Sequence, residues 1–210
     1  MKNFSISTFV WLSIFLVFFI WSAIKPCDYF IWFLEVLPAI VFVIVLSLTY
    51  KNFKLTPLCY WLILIHCLIL MIGGHYTYAR VPLFSWLQQI FNLSRNHYDR
   101  LGHFAQGFIP AVIAREILLR KTPLSTGKWL FTIIICFCLA ISSLYELFEW
   151  WVAIATGTRA EEFLSTQGDI WDTQKDMLFA LLGATASLLS LNKIHDRQLN
   201  ILLKKNAKKN

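Results

Sequence analysis

Asp99, His103 and Gln106 stand at i, i+4 and i+7, so a helix through them carries all three on one face. The same segment, His97 to Phe108, opens an apolar run long enough to cross a bilayer. Lipid cannot hold such a face cheaply, so it must turn toward protein or water. Two more sets repeat the spacing. Glu146 and Glu149 are three residues apart, and Asp169, Asp172 and Asp176 fall at i, i+3 and i+7. Imidazole among carboxylates supports three kinds of chemistry: holding a divalent metal, general acid/base transfer, or passing protons and ions through a membrane.

The chain that positions them has 210 residues, is 58% hydrophobic and only 15% charged, and has a mean hydropathy of +0.60. A soluble domain would be about a quarter charged. The apolar residues gather into runs of about 20, the length that spans a hydrocarbon core. The composition therefore predicts an all-α, polytopic membrane bundle with the lipid bilayer as its partner. Net charge is +7, but the excess sits in the tail and short loops, which speaks for membrane orientation and against nucleic-acid binding. The five cysteines form no CxxC pair, so neither a disulfide framework nor a zinc knuckle is expected. The first apolar run is longer than a signal-peptide core and no A-x-A site closes it, so it reads as a retained helix.

Six transmembrane helices are expected, at about 5–24, 29–50, 57–79, 98–118, 129–151 and 170–191. They make one domain over 1–192, followed by a basic, frayed cytoplasmic tail over 193–210. An amphipathic piece, 83–91, is expected to lie in the interface. A polar loop with Gly157, Arg159, Glu161 and Glu162 precedes the last span. Both termini then share one side, which collects 13 of the 19 Lys and Arg residues. The positive-inside rule makes that side cytoplasmic.

Following each helix in its direction brings Glu35, His75, Asp99, His103, Glu146, Glu149, Asp169, Asp172 and Asp176 to the opposite, periplasmic end. Five of six helices deliver a carboxylate or imidazole there. Ala180, Gly183 and Ser187 continue the acidic face of the last span as a small-residue stripe, which marks that face as buried. The expected metal ligands are His75, His103, Glu146, Glu149, Asp172 and Asp176, for zinc, manganese or iron. Asp99, His103 and Glu146 are the expected acid/base residues. Arg100, Gln106 and Tyr78 are the expected substrate contacts, with Arg100 and Lys175 as counter-charges. Structural roles compete for several of these. Asp169 and Asp172 suit helix capping, Glu149 beside Trp150 and Trp151 suits an interfacial anchor, and His66 suits a satisfied bundle histidine. Arg115 and Glu116 suit an interface pair.

The runs Gly74-His75-Tyr76-Thr77-Tyr78, Tyr98-Asp99-Arg100-Leu101-Gly102-His103, Tyr145-Glu146-Leu147-Phe148-Glu149-Trp150-Trp151 and Gln167-Gly168-Asp169-Ile170-Trp171-Asp172 together resemble the YjdF family of bacterial inner-membrane proteins. The resemblance covers nearly the whole chain. It implies a multi-pass protein of the inner membrane and brings no catalytic roles with it. A fainter likeness is to VanZ-like membrane proteins, with Glu146, Asp172, Asp176 and Gly183 filling that pattern while its glutamine and asparagine positions are unmatched. The functional expectation is a His/carboxylate site at the periplasmic face. Either it is a metal-dependent enzyme acting on a lipid head group or periplasmic small molecule, or it holds a metal or head group without chemistry. A transporter would need polar groups across the full thickness, and the inner half offers little beyond His66.

Overall fold

Asp28 caps the helix that follows it: its carboxylate accepts from the backbone N–H of Phe30 (2.7 Å) and Ile31 (3.0 Å), which satisfies two orphan donors of a helix start. In the computed structural model, which describes residues 6–157 and 166–207, the described elements are all helical. In chain order they are α1 (Ile6–Ala23), α2 (Tyr29–Thr49), α3 (Pro57–Tyr76), a 3-10 turn (Tyr78–Arg80), α4 (Pro82–Ile90), α5 (Tyr98–Lys121), α6 (Lys128–Thr156), α7 (Asp172–Ser190) and α8 (Asn192–Ala207). Arg159, Glu161 and Glu162 of the polar loop lie outside the described residues.

Three helices, α2, α3 and α6, are long and apolar enough to cross a membrane, and a fourth span arises if α7 and α8, bent by 63°, count as one. The described part of α1, Ser7–Ala23, is apolar but shorter. α5 carries six charged residues and is not among the helices that qualify on composition. Apolar length alone thus yields fewer spans than the six expected from the hydropathy runs.

Glycines set the closest approaches. A Cβ on Gly107 would stand 1.8 Å from the Ala180 carbonyl oxygen, and one on Gly183 would stand 2.0 Å from that of Phe104. The backbones of α5 and α7 therefore touch, which is the small-residue packing used between membrane helices. Ala180, Gly183 and Ser187 are all buried, as the stripe predicts. The pair of glycines ending α3 has two separate uses. Gly74 lies against Val36 and Glu35 of α2, while Gly73, with Gly102 of α5, leaves a slot for the Tyr78 ring. α3 stops at Tyr76, three residues short of expectation, because Thr77 adopts φ 56°. That reversal turns Tyr78 inward, where its ring meets Tyr98 edge-on at 5.4 Å.

α4 has no fully buried residue, and Leu83, Trp86 and Ile90 are exposed, as an interfacial helix requires. The tail departs from expectation. α8 is a helix rather than a frayed end, and its His195 is completely buried. Residues far away in the chain hold it there.

Candidate metal or acid/base site

The geometry centres on one ring nitrogen. His103 Nδ1 lies 3.1 Å from Oε1 of Gln106. An amide oxygen can only accept, so Nδ1 carries the proton and Nε2 presents a lone pair. Nε2 faces three carboxylate oxygens: Asp99 Oδ1 at 3.6 Å, Glu146 Oε1 at 3.6 Å and Asp176 Oδ1 at 3.8 Å. Lone pair against lone pair is repulsive, so a proton or a cation must sit between them. The Glu146 Oε1 atom is buried with no hydrogen-bond partner, and such an atom is costly unless something fills its valence. One ligand atom each from Asp99, His103 and Asp176 lies within 4.8 Å of the others. Ligands about 2.1 Å from a tetrahedral ion stand about 3.4 Å apart, close to the distances from His103 Nε2, while Glu146 approaches the histidine without joining that three-residue group.

Helix register explains the convergence. Asp99 and His103 are one turn apart on α5, Glu146 comes from α6, and Asp176 sits one turn into α7, directly across the glycine contact. Around this core a second ring of charge is organised by arginines. Arg95 bridges Asp99 (Nη2 to Oδ2, 3.1 Å) and Asp172. Arg100 joins Asp172, Asp176 and Asp169. Lys175 pairs with Asp169 at 2.7 Å at the exposed edge. That bond holds the Asp169 carboxyl below its usual range. Nearby, partial burial and then the neighbouring Arg95 and Arg100 push the His97 imidazole down. In this layer Glu35, Asp99, Glu146, Glu149, Asp169, Asp172 and Asp176 outnumber Arg95, Arg100 and Lys175. Protons or a bound cation must supply the difference.

The expected site residues divide as follows. Asp99, His103, Glu146 and Asp176 come together, and Gln106 orients the imidazole. Glu149 is buried rather than anchoring at an interface, and with Tyr78 it lines a cavity that reaches His103. Asp172 belongs to the arginines rather than to the His103 group. Arg100 is spent on carboxylates and does not line the cavity. His75 stands apart: its ring stacks on Trp21 at 4.6 Å and its Nδ1 donates to the Ser22 carbonyl at 3.0 Å. Asp169 accepts from the Trp171 N–H at 3.1 Å, so it does stabilise the start of α7.

Two contributors escaped the sequence reading. Arg95 precedes the helix expected at 98–118, although its i, i+4 spacing to Asp99 is a signal. Asn96, fully buried, donates to Val81 O and Ser85 Oγ and accepts from the Tyr98 N–H. Gln167 then clamps both backbone groups of Asn96. This ties α4, the start of α5 and the approach to α7 into one rigid corner.

A second buried cluster lies at the other end of the bundle. Glu116 accepts from Thr56 N–H (3.0 Å), Thr56 Oγ1 (2.7 Å), Cys59 Sγ (3.2 Å) and Arg120 (2.7 Å). Arg115 donates to His195 Nδ1 at 2.8 Å, which leaves Nε2–H to donate to Glu116 at 3.1 Å. Cys59, Glu116 and His195 have metal-compatible spacing. Both nitrogens of His195 are already committed, however, and Glu116 is surrounded by donors, so the cluster is a fastening. Arg115 and Glu116 are thus buried keystones for α8, not the interface pair expected.

Comparison with known proteins agrees with this architecture. The family model described as "Predicted membrane protein (DUF2238)" matches residues 7–197. The protein described as "Inner membrane protein YjdF" from Escherichia coli (strain K12) is 49% identical over 180 residues, covering 86% of each chain. No solved structure matches. The chain therefore belongs to the DUF2238 family of membrane proteins and is a relative of YjdF.

Proposed function

We propose that this is a multi-pass inner-membrane protein that binds one divalent cation between Asp99, His103, Glu146 and Asp176, and acts there on a lipid head group or small molecule reaching the site from the periplasm. The carrying observation is the His103 Nε2 lone pair, fixed by Gln106 and surrounded by three carboxylate oxygens at 3.6–3.8 Å. One imidazole among three carboxylates is an oxygen-rich donor set, which favours manganese or iron(II) over zinc. Gln106 behind the histidine and Arg95 on the far oxygen of Asp99 supply outer partners of the kind that orient metal ligands, and Arg100 steadies Asp176 from the side at the oxygen that faces His103. A cation held this way polarises a phosphoryl or carbonyl oxygen and lowers the pKa of a bound water. The six-span arrangement with both termini cytoplasmic, supported by the bias of basic residues and by a relative in the inner membrane, turns the site toward the periplasm.

The test is the metal content of the detergent-purified protein beside His103→Ala and Glu146→Ala. About one metal per chain, lost in both variants, supports the reading. Background metal in a folded wild type sinks it. In that case the unpartnered Glu146 oxygen beside His103 favours a second reading, an acid/base or head-group-holding pocket without metal.

A further inference from the structure

A cavity of about 390 Å³ runs from the His103 layer down between α2, α3, α5 and α6, within the range of small-molecule sites. Its two ends differ in chemistry. The upper end is lined by Glu35, Asp99, His103, Gln106, Tyr145 and Glu149. Below them the wall is apolar, through Phe42, Pro110, Ile113, Leu118, Ile133 and Ile141, with His66 interrupting it midway. From Asp99 to Leu118 the wall follows α5 for about 28 Å at 1.5 Å per residue. That is nearly the thickness of the hydrocarbon core, about 30 Å. Ile117, Ile133 and Phe137 line the lower part and are also exposed, so it opens sideways to lipid. At the top α2 and α6 close together through Ile31, Leu34, Phe148 and Val152.

We propose that this cavity holds one long hydrocarbon chain of a membrane lipid, acyl or isoprenoid, whose polar head lies at His103. A volume of this size drawn out over that length accommodates one chain rather than a pair. A chain enters sideways from the bilayer, and no soluble molecule needs an apolar shaft as long as the membrane is thick. The head end carries Glu35, Asp99 and Glu149, while Arg95, held between Asp99 and Asp172, and Arg100, held by Asp172 and Asp176, do not line the cavity. An anionic head is therefore repelled unless a cation bridges it. The head rests on the metal reading above, whereas the tail does not.

The probes separate the two. Lysophosphatidate, farnesyl phosphate, phosphatidate, hexadecanol and glycerol 3-phosphate are each titrated against the detergent-purified protein by native mass spectrometry. Single-chain probes are expected to bind, with glycerol 3-phosphate at least tenfold weaker, and the better of lysophosphatidate and farnesyl phosphate identifies the chain type. Ala114, like Ile141, lines the shaft, and Ala114→Phe and Ile141→Trp, which plug it, should weaken hexadecanol at least tenfold while metal content stays unchanged. His103→Ala should lose metal and phosphate-bearing probes but keep hexadecanol. Hexadecanol binding unchanged in both folded plugs, or glycerol 3-phosphate binding as tightly as lysophosphatidate, overturns the proposal. If the plugs do not fold, Phe137→Ala, which widens the mouth, should admit phosphatidate; continued preference for one chain at unchanged affinity overturns it too.

Discussion

Gln106 decides which nitrogen of His103 meets the carboxylates. Its Oε1 lies 3.1 Å from Nδ1 and so turns the Nε2 lone pair toward Asp99, Glu146 and Asp176. Replacing it by Leu removes the acceptor but leaves every proposed ligand in place. Metal affinity should fall by about 10–100-fold, the usual cost of losing an outer partner, with the thermal midpoint little changed. Gln106→Glu keeps an acceptor and should retain affinity. Chelator competition with manganese reads both; equal affinity in Gln106→Leu would separate Gln106 from the site.

Arg95 is buried between Asp99 and Asp172. Arg95→Met should destabilise the protein by about 3–5 kcal/mol, because it takes the close guanidinium partner from buried Asp99 and leaves Asp172 with Arg100 alone. Arg95→Lys should recover little, since a point charge cannot span two carboxylates as the guanidinium fork does. Thermal unfolding in detergent measures both, and a lysine variant as stable as wild type contradicts the bridging role.

How far the sequence carried this site is visible in its residues. Hydropathy runs and the i, i+3, i+4 spacings placed Asp99, His103, Glu146 and Asp176 at one height, and they do meet. Height along the membrane normal is what such a reading supplies; rotation about each helix axis is not. His75 therefore shared a layer with His103 while its ring went to Trp21. Arg95 was passed over because it precedes the helix that it serves. The Glu116–His195 contact joins residues 79 positions apart, and no local pattern announces it.

That contact makes the fastening of α8 testable. His195→Ala takes one donor from Glu116, which keeps Thr56 and Cys59, and leaves the buried Arg115 Nη1 without its acceptor, costing about 1–3 kcal/mol. Cys59 lies beneath α8, fully buried against Glu116. With the exposed Cys27 and Cys136 changed to Ser, maleimide labelling should rise several-fold in His195→Ala. Labelling as slow as in the parent would show that α8 stays seated without its histidine.

The α5–α7 contact admits no side chain. Gly107→Val should cost about 3 kcal/mol or more, at or beyond the upper end of overpacking, because its Cβ meets backbone rather than a side chain that can move. It should also loosen metal binding by parting Arg100 from Asp176. A variant with the wild-type thermal midpoint and metal content would show that the two helices are not pressed together.

At the exposed edge, Lys175 holds Asp169 ionised below its ordinary range. For a carboxyl with a lowered folded pKa, the contribution to stability is present above the unfolded value, about 3.9, and is lost as pH falls through the folded one. Lys175→Met should therefore be slightly less stable near neutral pH, and the gap should close in strong acid. The effect is small because the pair is exposed. Thermal midpoints across pH give the answer, and a gap that widens in acid would reverse the sign.

The charges on α5 have a consequence for how the protein is made. On the six-span reading proposed above, α5 alone is too polar to leave the translocon for lipid at low cost. Its Arg100 is neutralised by aspartates on α7, which emerges from the ribosome some 70 residues later. Until then α5 must wait in a polar surrounding or be sheltered by α3. Nascent chains stopped before residue 172 should leave α5 extractable, and chains extended past α7 should not. The order of synthesis and the order of membrane integration then differ within one chain.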